Sequence, residues 1–508
     1  MNSTSKIDIV LPVYGKNPKD SLGLAQLLIS DQIRQLSSYL DIELSVAAFD
    51  PETPNATDFF ALPLRTDAIR IFVFSLANAI QLGFVPAFLS MAGIPIRAKE
   101  RGYDTGFVFG GGLALLNAIA FDDLFDVVFR GNSLKPLNAF IMALAGKLRD
   151  RMEDTHIRIN PESSLASDYR FKELASLPSS VLQRSLAKQY FYDEYAIDAM
   201  CRVNPPMPGQ EVYSLVATLG CQYSCPFCQP CLTRFQHLSL TDIARSLDCV
   251  RESQIPTVFW PSLSLSSHPQ FDELLNILDA PKFGDILHVF GSFRAEELST
   301  KRITKLSKLN FTHTYSYHYK RELGTKHPAR FLALAPETGS AQVAKKLGKP
   351  KCPEAVRRVI HDALQVGINY FNLYFMLNHP YESAKDLHLT VEYMAQIAER
   401  VGRSGGQLLL SVNPFIPMPG TVHSDLPITS PDDWFASVEM IKSSLQDHLD
   451  NGTCTLVFLP YSVAVLQYAA TRLSPNRLDD LLPLYAEYGQ GCFDLDSPSL
   501  SYRAWSLL

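Results

Sequence analysis

The strongest signal in the sequence is the stretch GCQYSCPFC, at residues 220–228. Its cysteines, Cys221, Cys225 and Cys228, have the spacing C-x3-C-x2-C. Three thiolates this close in sequence can wrap one metal centre, and a four-iron cluster held by three cysteines keeps one iron open. A structural zinc site is instead closed by four ligands. Because Cys231 extends the run to a fourth cysteine, zinc stays open as an alternative.

Composition places these cysteines in a large protein of a reducing compartment. The chain has 508 residues, 46% of them hydrophobic, and a net charge of −6. It is long enough for about three domains, and its apolar content excludes intrinsic disorder. No basic excess or polybasic run points to nucleic acid or to a membrane surface. The odd count of nine cysteines argues against a disulfide framework and favours a cytoplasmic location.

One uncharged stretch, residues 71–96, is long enough to span a bilayer. It contains an asparagine, a glutamine, two glycines and two prolines. It also opens with the apolar run IFVF, which is typical of a buried strand. We therefore expect a strand followed by a helix rather than a membrane span.

The first part of the chain alternates between strand and helix patterns. Helical spacing appears at residues 22–39 and 84–102. Strands separated by helices pair in parallel, so we predict a doubly wound, Rossmann-like α/β domain over residues 1–145. The predicted strands are at residues 8–13, 43–48, 69–75, 105–109 and 125–129.

The rest of the chain divides into three predicted regions. Residues 146–210 are expected to be a helical linker, ending at the proline-rich run 205–209. Residues 211–425 contain six further strand–helix units, which suggest a partial (β/α)6 TIM-like barrel with its chemistry at the carboxyl ends of the strands. Residues 426–508 are expected to be mostly helical. The six strands are predicted at residues 213–218, 257–260, 286–290, 331–335, 370–376 and 407–412.

The cysteine stretch and four later segments resemble the radical S-adenosylmethionine (SAM) superfamily. All five occur in the order that the family has, which makes the resemblance far more specific than any one segment and weakens the zinc alternative. In one of them, Asn378 stands where the family usually has glycine and His379 follows it. The four later segments are GSFRAEEL at 291–298, APETGS at 335–340 with KLGK at 346–349, YFMLNHPYE at 374–382, and NPFIPMPGT at 413–421.

The resemblance implies roles for six residues. Cys221, Cys225 and Cys228 would hold a 4Fe-4S cluster, and its open iron would chelate SAM. Arg294 would bind the carboxylate of SAM, with an ion pair to Glu296 or Glu297 as the alternative. Glu337 would face the amine or ribose of SAM, or else make a structural hydrogen bond. Phe227 would pack over the cluster or the adenine, or else in the core.

The N-terminal domain resembles the cobalamin-binding branch of the same superfamily. Gly110, Gly111 and Gly112 end a predicted strand, and FDVVFRGN follows at residues 125–132. By resemblance, the three glycines would lie near cobalamin. The family's acidic residues are replaced by Asn132 and the following serine, and no histidine precedes His156. The cobalamin-binding motif is therefore degenerate, and this domain offers no histidine ligand to cobalt.

These features predict a radical SAM enzyme, first of all a cobalamin-dependent methyltransferase acting on a small metabolite or natural-product intermediate. The resemblance also implies an external one-electron reductant of the flavodoxin or ferredoxin type. The alternative keeps the barrel without cobalamin and drives a dehydration, epimerisation or cyclisation. A zinc-stabilised binding module without enzymatic activity is the third hypothesis. No cysteine precedes Cys201, which argues against a methylthiotransferase.

Three features carry no assigned role. As a fourth ligand Cys231 would block SAM chelation, so the enzyme hypothesis makes it a bystander. His379 is a candidate contact for SAM or substrate. The aromatic segment 311–320 could line a substrate pocket or form an exposed hairpin or strand.

Overall fold

The chain folds as two compact units. The first comprises Met1–Glu194 together with Ser462–Leu508, and the second comprises Tyr195–Tyr461. A computed structural model describes residues 6–14, 24–49, 67–76, 79–112, 115, 119–129, 134–145, 157–167, 205–206, 208–229, 235–313, 330–489 and 498–508.

The first unit is built on a six-stranded sheet whose strands are largely apolar. Neighbouring strands run parallel, except that the last is antiparallel to its neighbour. The strands are β1 (Ile7–Tyr14), β2 (Ile42–Phe49), β3 (Ile69–Ser75), β4 (Phe107–Gly111), β5 (Val127–Phe129) and β6 (Ile157–Ile159). Their order is β2-β1-β3-β4-β5-β6, so the direction of winding reverses between β1 and β3. In such sheets ligands bind at this switch point, outside the carboxyl ends of the strands.

The uncharged stretch 71–96 forms a strand and a helix, as predicted. β3 is followed by a short 3₁₀ helix (Ala79–Gly83) and then by a helix that ends at Met91. The predicted extension to residue 102 is wrong, because Gly93 takes a positive φ of 67° and a proline follows two residues later. No helix in the described parts of the chain is long and apolar enough to cross a membrane. The first helices are α1 (Leu24–Ser37), α2 (Phe84–Met91) and α3 (Leu134–Leu144).

A buried ion pair joins the elements of the first sheet. Nε of Arg101 donates to Oδ2 of Asp126 at 2.8 Å, and neither side chain is exposed to solvent. Because a buried charge needs every hydrogen bond it can make, the surroundings satisfy the rest of the pair. Arg101 also donates to the carbonyl oxygens of Pro95, Ile96 and Leu124, and Asp126 also accepts from the Val108 N–H and the Ser163 hydroxyl.

The second unit contains two four-stranded parallel sheets and a short antiparallel ribbon. The sheets have the orders β12-β11-β10-β7 and β13-β14-β15-β16, and the ribbon pairs β8 with β9. A parallel bridge between Phe293 and Leu334 connects the first sheet to the second. The strands are β7 (Val212–Ser214), β8 (Thr218–Leu219), β9 (Gln236–His237), β10 (Thr257–Trp260), β11 (Leu287–Phe290), β12 (Phe311–His313), β13 (Phe331–Glu337), β14 (Tyr370–Leu377), β15 (Gln407–Pro414) and β16 (Cys454–Phe458).

Helices alternate with these strands, and five of them begin at a serine. In each case the serine hydroxyl accepts a hydrogen bond from a backbone N–H in the first turn, which fixes where the helix starts. The helices are α4 (Leu240–Glu252), α5 (Phe271–Leu278), α6 (Thr300–Leu306), α7 (Ala341–Lys346), α8 (Cys352–Gln365), α9 (Ala384–Arg403) and α10 (Pro431–Asp450).

The prediction of a mixed α/β fold with parallel sheets is confirmed, and all six strands predicted in this region are present. The count of six is too low, because the described residues contain eight parallel strands. The two additional strands are β12, with three residues, and β16, which lies among helices after residue 426. With three residues, β12 is too short for a period-2 pattern to identify it.

The C-terminal helices belong to the first unit from Ser462 onwards. Tyr485 packs edge-on against Phe121 at 5.1 Å between ring centroids. The same ring lies against the Cα of Gly83, where a Cβ atom would approach it to 2.9 Å. Residues near the C-terminus therefore pack in the hydrophobic core of the first unit. These helices are α11 (Tyr461–Arg472), α12 (Leu478–Gly489) and α13 (Pro498–Trp505).

The buried ion pair predicts a large loss of stability in Asp126→Asn. The substitution leaves the Arg101 charge buried without its counterion, which costs about 3–5 kcal/mol. The control is Asp479→Asn. The Asp479 side chain forms an ion pair with Arg97 but is 78% exposed, so its loss should lower the free energy of unfolding by less than about 1 kcal/mol. Chemical denaturation of both variants measures the difference, and equal losses would contradict the role given to the buried pair.

Candidate functional site

The cysteine loop, residues 220–228, starts from the short ribbon of β8 and β9. Leu219 pairs with Gln236 and Thr218 with His237, so the chain leaves and returns at the same place. Gly220 begins the loop with a φ of 71°, which favours glycine. The loop is thus closed at its base by backbone hydrogen bonds. Of its three cysteines, Cys225 is buried and the other two are half-buried.

Arg294 lies directly against this loop. Its Nη1 donates to Sγ of Cys225 at 3.8 Å, and its guanidinium stacks on the ring of Tyr223, 3.7 Å from the centroid. It also forms an ion pair with Glu296 at 3.4 Å. Burial opposes the charge, yet Glu296 and the Cys225 sulfur raise the pKa of Arg294 above its ordinary value. The arginine therefore makes the ion pair named as its alternative role and also faces the cysteine.

Glu297 is the anchor of the cysteine loop. Glu297 is the last residue of a 3₁₀ turn (Ala295–Glu297) that follows β11, and Arg294 directly precedes that turn. From the loop, its carboxylate accepts hydrogen bonds from Tyr223 and, at 3.1 Å, from Gln222. Burial and the Glu297 carboxylate raise the pKa of Tyr223 to about 12. Three serine hydroxyls from the segment after β10 also donate to it, those of Ser264, Ser266 and Ser267.

Glu337 ends β13 and is bound to Lys349. The two side chains are 2.6 Å apart and only 14% and 11% exposed. Lys349 also donates to the Ala335 carbonyl at 3.0 Å. Burial opposes the ammonium charge, but Glu337 raises the pKa of Lys349 above its ordinary value. Glu337 has a positive φ of 66° at an irregularity of the strand, so the backbone turns here to present its carboxylate.

The turn before Lys349 packs on the cysteine loop. A Cβ atom on Gly348 would come within 3.3 Å of Pro226, and the φ of Gly348 is 72°. The half-buried Phe227 packs against a cluster formed by Val343, Leu347, Met376 and Phe415. The ammonium of Lys349 also lies 6.0 Å from the centre of the Phe227 ring. The structure thus gives Phe227 a packing role in the wall that supports the loop.

A pair of histidines holds the same loop from another side. The Tyr381 N–H donates to Nδ1 of His379, which places the proton of this neutral ring on Nε2. Nε2 then donates to Nδ1 of His423 at 3.1 Å. Burial, together with His423, lowers the pKa of His379 to about 4. The backbone N–H of His423 donates to the Pro226 carbonyl at 2.9 Å, which connects the pair to the cysteine loop.

The donor set suits a cluster ligated by thiolates. Cys225 lies within electrostatic reach of both Arg294 and Lys349, and nearby cations stabilise the thiolate form that ligates metal. In the described residues no three His, Cys, Asp or Glu side chains converge on one metal ion. Cys231 lies outside the described residues.

Gly110, Gly111 and Gly112 lie at the end of β4, in the first unit. A Cβ atom on Gly110 would come within 2.6 Å of Leu115 and Phe125. One on Gly112, whose φ is 104°, would come within 2.2 Å of the Leu76 carbonyl oxygen. Packing inside the unit therefore requires two of the three glycines, and this requirement involves no ligand. Residues 130–133 of the neighbouring motif lie outside the described part.

The aromatic segment 311–320 is described only as far as β12. In that part the phenol of Tyr374 is 3.2 Å from Nε2 of His313, and the His313 ring also packs against Phe331 of β13, with 6.1 Å between the ring centroids. Residues 314–320, with the remaining tyrosines, lie outside the described residues.

Residues 61–158 match the sequence family described as "Radical SAM proteins, N-terminal". The resemblance to radical SAM proteins is confirmed. No curated protein matches the chain in sequence.

The fold is similar to that of solved radical SAM structures. One is the radical SAM methyltransferase TsrM from Kitasatospora setae with cobalamin and a 4Fe-4S cluster bound. It has 10% sequence identity and a TM-score of 0.55, over 95% of this chain and 100% of that one. A TsrM structure with tryptophan substrate and the SAM analogue aza-SAM has 10% identity and a TM-score of 0.50, over 82% and 75% of the two chains. The chain therefore has a radical SAM fold.

Sequence reasoning missed most of the residues that position the cysteine loop. Sequence analysis assigns no role to Tyr223 or Gln222, and it offers Glu297 only as an ion-pair alternative for Arg294. Lys349 and His423 received no role. The one available signal was the pair of adjacent acidic residues after Arg294, since a carboxylate near a strand end needs donors.

Glu297→Ala is expected to free the cysteine loop from the strand ends. The variant removes the acceptor shared by five side chains, so backbone amides of residues 221–228 should exchange with solvent about tenfold faster. Hydrogen exchange measured by mass spectrometry reports this directly. The control is Glu273→Ala, an exposed carboxylate on α5. Unchanged exchange in Glu297→Ala would remove its anchoring role.

Lys349 and Glu337 are expected to be energetically coupled. Lys349→Met leaves the Glu337 carboxylate partly buried without a cation and should lower the free energy of unfolding by about 3 kcal/mol. The double variant Lys349→Met/Glu337→Gln removes that uncompensated charge and should recover about 1 kcal/mol or more. A double-mutant cycle by chemical denaturation measures the coupling, and strictly additive losses would show that there is none.

Proposed function

We propose that this chain is a radical SAM enzyme whose Cys221, Cys225 and Cys228 hold a 4Fe-4S cluster. The observation that carries the proposal is the anchoring of one cysteine loop by Glu297, Arg294 and the turn before Lys349. A loop built only to pack would not need a buried thiol with two cations beside it. The N-terminal family match and the radical SAM fold support the same assignment.

The protein's side chains would bind and orient SAM. With the cluster bound, its open iron supplies electrons for reductive cleavage of SAM. The Arg294 guanidinium would exchange its long contact with Glu296 for the carboxylate of SAM, since a guanidinium fork suits a planar anion. Glu337, already fixed by Lys349, would accept from the amine or ribose hydroxyls. Phe227 would cover the cluster from its place in the apolar wall.

We further propose that the enzyme is a cobalamin-dependent methyltransferase for a small molecule. The sheet order β2-β1-β3-β4-β5 has the switch point at which such sheets bind cofactors, between β1 and β3. TsrM, whose fold the chain shares, is a methyltransferase solved with cobalamin and, separately, with a tryptophan substrate. The glycine run 110–112, at the carboxyl end of β4, would face the cofactor through Gly111. An external one-electron reductant, of the flavodoxin or ferredoxin type, would supply the electron.

This function implies a domain arrangement. Residues 1–145 would form the Rossmann-like cobalamin domain, whose sheet is extended by β6 from the predicted linker 146–210, and 211–425 the partial (β/α)6 radical SAM barrel. Residues 426–508 would form the mostly helical C-terminal region, which also contributes β16 beside β15. We propose a cytoplasmic enzyme without nucleic-acid or membrane partners, in keeping with the net charge of −6 and the odd cysteine count.

A radical SAM enzyme without cobalamin is the second candidate. One observation favours it, because Gly110 and Gly112 are required by packing against Leu115, Phe125 and Leu76. A degenerate motif whose glycines serve the fold would persist in a domain that has lost its cofactor. The deoxyadenosyl radical would then drive a dehydration, epimerisation or cyclisation.

Anaerobic reconstitution with iron, sulfide, cobalamin, SAM and a reductant distinguishes the two candidates. Methyl transfer predicts retained cobalamin, seen in its visible absorption spectrum, together with S-adenosylhomocysteine as a product. Deoxyadenosine without retained cobalamin would contradict the methyltransferase and favour the second candidate. No SAM cleavage by protein that has bound iron would contradict both.

Cysteine variants test the cluster ligands. Cys225→Ala should lose the iron and the SAM cleavage, whereas Cys249→Ala, on α4 away from the loop, should keep both. Cys231→Ala should also keep both, since a fourth cysteine ligand would block the open iron. Iron analysis and visible spectra provide the measurement. Loss of metal in Cys231→Ala as complete as in Cys225→Ala would favour the zinc-stabilised module.

A further inference from the structure

One face of the β13-β14-β15-β16 sheet points away from the helices of the second unit. Successive side chains of a strand point to opposite faces. On β14, Phe375 packs against Tyr393 of α9, with 6.1 Å between the ring centroids. Tyr374, the residue before it, therefore lies on the other face, together with its register partner Ser411 of β15. We call this face the inner face.

The inner face curves inward. The Tyr374 phenol lies 3.2 Å from Nε2 of His313 on β12. β13 lies between the two strands, because it pairs with β14 and because the N–H of Arg330, just before it, donates to the Phe311 carbonyl of β12. Side chains from strands roughly 10 Å apart meet over the strand between them when the layer curves toward that face. Ala333, on the inner face of β13 by its register, leaves room for this contact.

The inner face is open to solvent, in contrast to the face that packs on the helices. Tyr374 and Asn413, both on the inner face, are only half-buried. The helix-facing residues of β14, namely Phe371, Leu373 and Phe375, are at most 1% exposed. The inner face therefore has room in front of it for a ligand.

Asn413 places an amide beside the proposed site of the cluster. Its side chain makes no hydrogen bond within the described part of the chain. Its register partner on β14 is Met376, which belongs to the apolar cluster that supports Phe227 of the cysteine loop. An amide both donates and accepts, so it can bond to the polar edge of a bound molecule without any charge.

The inner face carries aromatic rings and no charge. None of the side chains on it is charged, from Phe331 to Leu334 of β13 or along β14, β15 and β16. Burial lowers the pKa of His313 to about 4, so this ring is neutral at pH 7. The His313 ring lies 6.1 Å from that of Phe331 and 5.8 Å from that of Tyr374, and Phe331 lies 6.3 Å from Tyr370. Such a wall favours contact with another aromatic ring, whereas a charged group would lose its hydration there without gaining a counterion.

We propose that the inner face binds an uncharged aromatic group of the substrate. The ring of that group would lie against Tyr374, which is held in place by His313. A polar edge of the same group would bond to the side-chain amide of Asn413. That the bound molecule is the substrate rests on the proposed radical SAM function, whereas the binding itself needs only the inner face.

Three probes of nearly the same shape test the proposal, namely benzamide, benzoate and benzamidine. They differ in charge, which is zero, negative and positive respectively. Benzamide should bind to the full-length protein about tenfold more tightly than either charged probe, as measured by ligand-observed NMR. Equal affinities for the three probes, or a preference for a charged one, would overturn the proposal.

Variants of Asn413 locate the binding. Asn413→Asp puts a carboxylate on the inner face and should reverse the preference to benzamidine by about tenfold. Asn413→Leu should weaken benzamide binding by about tenfold without favouring benzamidine, which separates loss of the amide from gain of charge. The control is Asn451→Asp, at an exposed residue after α10, which should leave the three affinities unchanged. An unchanged preference in Asn413→Asp would place the probes elsewhere, for example benzoate at Arg294, and reject this site.

SAM cleavage by the reconstituted protein separates this inference from the proposed function. Cleavage of SAM without a preference for benzamide would reject the inner-face site and leave the radical SAM assignment standing. A preference for benzamide that reverses in Asn413→Asp, in protein that binds iron but does not cleave SAM, would support the site and contradict the assignment.

Discussion

The Glu297 carboxylate is the constraint on which the candidate site depends. A loop of irregular backbone has no ladder of hydrogen bonds to hold it, so its position must come from tertiary contacts. Glu297 accepts from Tyr223 and Gln222 of the loop and from serines after β10, which joins the cysteines to the carboxyl ends of two strands. Arg294 begins the same turn, so one short segment sets both the loop and its nearest cation.

The two cations near Cys225 form ion pairs of different length, and this difference bears on ligand binding. Lys349 is bound to Glu337 at 2.6 Å, whereas Arg294 lies 3.4 Å from Glu296. Lys349 also donates to the Ala335 carbonyl, so separating Lys349 from Glu337 would cost more than separating Arg294 from Glu296. An incoming carboxylate therefore competes more easily for Arg294 than for Lys349. With the same order of strengths, the Glu337 carboxylate would stay fixed if Arg294 exchanged Glu296 for such a carboxylate.

Much of the fold could be predicted because hydrophobic period and serine caps are local signals. β10 has the predicted bounds, whereas β12 and β16 gain their identity only from parallel neighbours. The site divides in the same way. Cysteine spacing is local, but Glu297 acts on residues 74 and 75 positions earlier, which no pattern in the chain can show. Glycine patterns mislead for a related reason, since Gly110 meets core atoms that only the folded unit brings to it.

Two departures from the family's segments have structural partners of their own. Asn378 replaces the usual glycine, yet it takes a φ of 56°, a conformation that asparagine tolerates better than most residues. Its amide then bonds to Ser437, which offsets part of the strain. His379, beside it, connects through His423 to Pro226 of the cysteine loop. Both substituted positions therefore make specific contacts, one with α10 and one, through His423, with the cysteine loop.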